Sequence, residues 1–356
     1  MIIYPNSYFP GPTKVPENVL GIAAVDFGSA DVEPEFLELY NKCVSNLQTL
    51  YGTENDVLIL TGEGMLALWG GLKSCLKKND RVLCISTGLF GEGMKPMAES
   101  IGCNVRIVEF PYDCSFDDYD VIEQNIKEFR PKMITAVQCE TPSGIMNDIS
   151  IIGQLKKKYG VPLLYVDAVS ALGGAPVDVD KNNIDICLGG AQKAISAPPN
   201  SCFASVSPAA WEIIEDVKYC GYDSFLDFKN SAKTGFFPYT PSWVNVAQVY
   251  QSTKDILEEG LENVFARHAQ CSCYVIENLK NKGYRLFPKN DSFSAVTVTA
   301  AYIPEGYTWT EWDRHLRERG LVVGGNYGKL AGKVFRIGHM GSQATMQNVE
   351  RLCGLL

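Results

Sequence analysis

The chain has only three histidines in 356 residues, at positions 268, 315 and 339, and none lies near a ligand-spaced cysteine pair. A zinc centre of the usual cysteine and histidine spacing is therefore not expected. Its twelve cysteines form no CxxC pair, and only Cys271 and Cys273 are close together. That pattern fits reduced, mostly buried thiols in the cytoplasm. No apolar run approaches the roughly 18 residues of a membrane span, and the opening MIIYPNSYFPGP has neither the basic start nor the apolar stretch of a secretory signal. Excess positive charge is missing too: the formal net charge is −9, which argues against nucleic acid or an anionic membrane as main partner.

What the chain has is 46% hydrophobic and 21% charged residues, enough for a large core and a smaller second unit. The expected division is an arm over residues 1–20, a large ligand-binding domain over 21–257 and a small domain over 258–356. A helix is expected from Pro34 to Tyr51, where Phe36, Leu37, Tyr40, Val44 and Leu47 recur at helical spacing before Gly52. Short apolar runs at 57–60, 82–85, 105–108, 133–137 and 163–166 then alternate with helical stretches. The pattern predicts an α/β fold with a mostly parallel sheet, whose ligands gather at the carboxyl ends of the strands. The aromatic-rich stretch 211–242 is irregular, and we expect its rings to be covered by another subunit. A helix over 244–257, another ending near Lys282, strands at 295–299 and 334–337 and a last helix complete the expected order.

The centre of the pattern is LLYVDAVSALGGAPVDVDKNNIDICLGGAQKAISAPP, residues 163–199. The first apolar run delivers Asp167 to a strand end. A second, Ile184 to Leu188, leads through Gly189 and Gly190 to Gln192 and Lys193. As isolated residues, Asp167 reads as a helix cap and Lys193 as a solvated lysine. The surrounding glycines and prolines favour instead a carboxylate and an amine that meet over one ligand. A lysine can hold a carbonyl compound as a Schiff base, and an acid beneath a pyridine nitrogen keeps that ring protonated and electron-withdrawing.

DAVSALGG followed by GGAQKAISAPP resembles the class V pyridoxal-phosphate aminotransferases of the alanine-glyoxylate and serine-pyruvate branch. The likeness extends to PGPT at 10–13, GLFGEGM at 88–94, ETPSG at 140–144, FPYTPS at 237–242 and GKVFRIGHMG at 332–341. It implies fold type I, with a small α+β C-terminal domain and a homodimer or dimer of dimers. It also implies Asp167 under the ring nitrogen, Lys193 as the amine, Phe90 and Val169 on the two ring faces, and Thr141 beside the ring's 3-oxygen. Gln192 belongs to the same binding set, and Arg336 is implied as the grip on the substrate carboxylate.

One turn departs from the family. Thr61-Gly62-Glu63-Gly64-Met65 opens a helix where relatives cradle a phosphate, but Glu63 replaces the usual serine or threonine and Met65 a hydrogen-bonding residue. Glu63 reads either as an acid satisfying the helix dipole or as a selector against phosphate. Near 5 Å and an effective dielectric near 20, a dianion beside it loses roughly 6 kcal/mol, or about ten thousandfold in affinity. Phe237 and Thr240 stand where the family draws a tyrosine and a threonine from a neighbouring subunit into the phosphate cup, so one ligand is missing. The departure is similar to a member of the class that takes unphosphorylated vitamin B6. The expectation is therefore pyridoxamine and pyruvate as substrates, with pyridoxal carried on Lys193 and no separate cofactor. The alternative is an ordinary aminotransferase of the branch with pyridoxal 5'-phosphate as cofactor.

Overall fold

The computed structural model describes residues 6–356; the first five residues of the expected arm lie outside the described residues. The chain builds a seven-stranded sheet in the order Asp56–Thr61, Ser201–Val206, Ile186–Gly190, Leu163–Asp167, Met133–Val137, Arg81–Ser86, Asn104–Glu109. All neighbours run parallel except Ser201–Val206, which is antiparallel to both of its partners. The central strands Met133–Val137, Leu163–Asp167 and Ile186–Gly190 are buried at every residue, which explains why their sequences are continuous apolar runs rather than alternating ones.

The helix Pro34–Tyr51 starts with proline at its first position and stops at Gly52, whose φ of 64° is the left-handed conformation that closes a helix most easily in glycine. Its buried face, from Phe36 to Tyr51, joins the main core. Helices Trp243–Glu259 and Leu261–Asn281 lead to a second core, where Val275, Leu279, Trp312, Leu316, Phe335 and Leu352 pack together with Tyr8. Tyr8 arrives there because Asn6–Tyr8 adds a parallel strand to Leu321–Val323. The chain therefore runs from the second core directly across the large sheet's ligand end. Among the described residues no helix is long and apolar enough to cross a membrane.

Three expectations shift. The strand expected at 295–299 is Val298–Tyr302, paired antiparallel with Val334–Gly338. The strand expected to begin at Ile184 begins at Ile186, and Gly189 and Gly190 are its last residues rather than a turn after it. In the aromatic stretch, Phe225, Phe228 and Phe237 are buried by their own chain, while Tyr222 and Phe236 are exposed. A run of rings in an irregular segment looks the same whether a core or a partner covers it.

Candidate active site

At the carboxyl ends of the parallel strands lies a pocket of about 300 Å³, lined by Gly11, Pro12, Glu63, Gly64, Met65, Leu68, Phe90, Cys139, Thr141, Asp167, Val169, Ser170, Gln192, Lys193 and Pro199. Nine of the residues expected from sequence therefore share one cavity, although they come from segments more than a hundred residues apart.

Asp167 is the last residue of its strand and is buried, with one carboxylate oxygen accepting the Val169 N–H at 2.9 Å. Burial pushes its carboxyl up to about 6, against the opposing pull of that N–H and of Lys193. Lys193 lies three residues beyond the Ile186–Gly190 strand, and its Nζ donates to the Pro10 carbonyl at 2.7 Å. Loss of water pushes its ammonium down to about 8, and the positive charge of Arg336 acts in the same direction. An amine that exchanges its proton near pH 8 can act chemically as nucleophile and as proton carrier.

The strap Pro10-Gly11-Pro12 accounts for the PGPT string. A Cβ on Gly11 would stand 2.7 Å from Lys193 Nζ, and φ there is +99°, so glycine is the residue that lets the backbone lie on the lysine. Gly64 meets a similar demand, since a Cβ there would come to 3.3 Å from the Val169 side chain.

Phe90 is the second residue of helix Leu89–Ser100 and is half-buried in the pocket wall. A group the sequence reading missed holds it there. Glu140 is fully buried and accepts the N–H groups of Phe90 at 3.2 Å and Gly91 at 2.7 Å, anchoring the start of that helix. Burial raises its carboxyl to about 8 despite those two donors. A Cβ on Gly88 would lie 2.7 Å from the Glu140 carboxyl carbon, so this approach also depends on glycine. The acid of ETPSG carried the signal, placed just before the turn that presents Thr141. Thr141 and Ser170 share a buried hydrogen bond between their hydroxyls, and Ser170 is a second missed member.

Glu63 is the N-cap of helix Gly64–Cys75, its carboxylate accepting the Met65 N–H at 3.1 Å. The backbone amide that would face an anion is thus already held by a side chain of the turn itself. Gln192 is buried, and its Oε1 has no hydrogen-bond partner among the described residues.

Three expected residues stand outside this lining. Arg336 is buried in the strand Val334–Gly338, near enough to act on Lys193, with Nε donating to the Gly325 carbonyl at 2.8 Å. Phe237 does not face the pocket of its own chain. Its ring packs edge-on against Phe36 and Tyr40, 5.4 and 4.9 Å between centroids, and 8% of its surface remains exposed. Thr240 donates its hydroxyl to Asp31 at 2.8 Å. The expected phosphate cup is therefore not assembled by these two residues within the chain.

The residues present fit a substituted pyridine carbonyl. A buried acid would meet the ring nitrogen, an amine the carbonyl, an aromatic and a branched side chain the faces, and paired hydroxyls a ring oxygen. The unpartnered Gln192 Oε1 leaves one further acceptor for a ligand.

Comparison with known proteins places the chain in a family. The family described as Aminotransferase class-V matches residues 20–352, and the chain belongs to that family. Its architecture is that of the fold type I pyridoxal-phosphate-dependent transferases. It is 36% identical to an uncharacterized aminotransferase of Methanocaldococcus jannaschii, over 93% of this chain and 86% of that protein. An alanine–glyoxylate aminotransferase of Callithrix jacchus is 29% identical, over 96% of this chain and 84% of its own. The crystal structure of pyridoxamine-pyruvate aminotransferase from Mesorhizobium loti superposes with a TM-score of 0.90 at 28% identity, covering 98% of this chain and 92% of that one.

Proposed function

We propose that this protein transfers the amino group of pyridoxamine to pyruvate, giving pyridoxal and L-alanine. The observation that carries the proposal is the Glu63 carboxylate on the Met65 N–H at the start of a helix, which on this reading is where a phosphate would otherwise sit. A phosphate dianion must displace or face that carboxylate, at a cost of roughly 6 kcal/mol near 5 Å. The neutral 5'-hydroxymethyl group of the unphosphorylated vitamin can donate a hydrogen bond to it.

When bound, the pyridine ring withdraws electrons from the carbon that loses its proton. Asp167 holds the proton on the ring nitrogen. Lys193, with a pKa near 8, carries the proton between the reacting carbons. Phe90 and Val169 enclose the ring, Thr141 and Ser170 serve its 3-oxygen, and Arg336 grips the carboxylate of pyruvate or alanine with its planar fork. A homodimer or dimer of dimers belongs to the same reading, and the exposed Tyr222 and Phe236 offer it apolar surface.

A second reading, a pyridoxal-phosphate-dependent alanine–glyoxylate or serine–pyruvate aminotransferase, is favoured by the exposure of Glu63, which leaves its side chain room to swing away. Spectral titration with pyridoxal and with pyridoxal 5'-phosphate separates the two. Under the first reading the wild type binds the alcohol more tightly, and Glu63→Ser tightens the ester by about a thousandfold or more. Tight, stoichiometric ester binding by the wild type, unchanged in the serine variant, would leave the second reading standing.

A further inference from the structure

Arg336 is a buried cation with no carboxylate partner among the described residues. Its position is nevertheless tightly set. Its backbone N–H and carbonyl both bond to Gly324, at 2.7 and 2.8 Å, and its Nε donates to the Gly325 carbonyl. The outer part of the guanidinium rests on one side chain, Tyr327. Nη1 donates to the phenol oxygen at 3.1 Å, and the guanidinium carbon lies 4.7 Å from the ring centroid.

The segment that carries Tyr327 is itself clamped. A Cβ on Gly325 would stand 2.7 Å from the Trp309 indole, and one on Gly328, where φ is +58°, 2.9 Å from Leu89. Between these two glycines only Asn326 and Tyr327 project. Asn326 donates to the Pro142 carbonyl at 2.7 Å, next to Thr141, and accepts the Tyr327 N–H at 3.1 Å. The tyrosine therefore has a fixed base and a ring on the open side of the arginine, about half exposed.

We propose that Tyr327 is a positioning residue for the carboxylate grip, orienting the Arg336 guanidinium without neutralising it. An aspartate or glutamate in its place would hold the arginine as well but would cancel the charge the substrate carboxylate needs. A phenol oxygen is a neutral acceptor that an incoming carboxylate oxygen can replace on Nη1, after which the hydroxyl is free to donate to that carboxylate. The ring face keeps the planar cation flat throughout. Burial pulls the guanidinium's pKa down, and Tyr327 opposes that pull.

The inference rests on the reading of Arg336 as the carboxylate grip, and the test separates the two. Steady-state kinetics with pyridoxamine and varied pyruvate are compared for Y327F, Y327L, Y327A and R336Q. Y327A and Y327L are expected to raise KM for pyruvate about tenfold, with kcat within about twofold of wild type. Y327F keeps the ring, so its KM rises only about threefold, and R336Q raises KM a hundredfold or more. Loss of fold stability alone would not split KM from kcat in this way. If Y327A and Y327L match the wild-type KM while R336Q loses pyruvate, the role of Tyr327 is overturned and the grip survives. An unchanged KM in R336Q would overturn the grip and, with it, the role of Tyr327.

Discussion

The two ends of the large sheet each carry a cavity, and the larger one is not the better candidate for chemistry. At the amino ends, a groove of about 820 Å³ is lined by Asn79, Arg81, Lys127, Arg130, Lys132 and Tyr159 among others. At the carboxyl ends, the pocket holding Lys193 is about 300 Å³. In the large groove three of the cationic side chains already have partners in the chain. Lys132 pairs with Asp80 at 2.7 Å, Arg81 donates to the Arg130 carbonyl at 2.9 Å, and Lys127 pairs with Glu123 at 3.2 Å. In the small pocket the chain leaves needs unmet: a buried acid whose proton affinity is raised, an amine whose proton affinity is lowered, and a buried amide oxygen without a donor among the described residues. Perturbed groups that converge without satisfying one another point to a ligand more reliably than volume does.

Removing the amine should break this contrast most severely. On the proposed reading, Lys193→Ala takes away both the carbonyl-binding group and the proton carrier. Alanine formation from pyridoxamine and pyruvate should fall at least about a thousandfold. The absorbance change on adding pyridoxal should vanish as well. Retention of that change would mean that another amine does the binding.

Asp167→Asn sharpens the comparison, because activity and stability should move in opposite directions. Activity should fall about a hundredfold, since an amide cannot hold the ring nitrogen's proton. For stability the sign follows from proton uptake. The folded state holds a proton on Asp167 up to about pH 6, whereas the ordinary carboxyl value is 3.8. Between those values the folded state binds more protons than the unfolded chain, so stability falls as pH rises, and the full penalty is present at pH 7. That penalty is on the order of 3 kcal/mol. The asparagine variant should therefore melt higher than wild type at pH 7, with the gain shrinking as pH is lowered from 6 towards 4. Paired melting curves at pH 5 and pH 7 check it, and an equal Tm difference at both would remove the buried-charge explanation.

The same contrast explains what could be seen in the sequence. Lys193 and Asp167 stood out because glycines and prolines crowd around them, and the structure shows what those small residues accommodate: the Pro10–Pro12 strap on the lysine needs Gly11, and helix Gly64–Cys75 meets Val169 at Gly64. The parallel strands were legible as apolar runs because both faces are covered. The antiparallel insertion of Ser201–Val206 was not, since its SCFASV sequence is short, small and polar enough to pass for a loop. Glu140 and Ser170 act through backbone amides and a hydroxyl pair that form only when distant strand ends meet. Tyr327 was hidden for the same reason: its partner Arg336 is a neighbour only through the turn between two strands of the second core.

The smallest expected effect lies at the other end of the sheet. Lys132→Ala breaks the ion pair with Asp80, in which both side chains are about a quarter exposed, at 22% and 23%. A pair at that exposure is screened by solvent, so the loss in stability should be no more than about 1 kcal/mol. Asp80 also accepts the Lys77 N–H at 2.7 Å and so keeps one partner after the substitution. Because the sheet separates this groove from Lys193, kcat and KM for pyruvate should stay within about twofold of wild type. A larger change in either would show that the amino-end groove communicates with the site, and would overturn the view that its charges serve only one another.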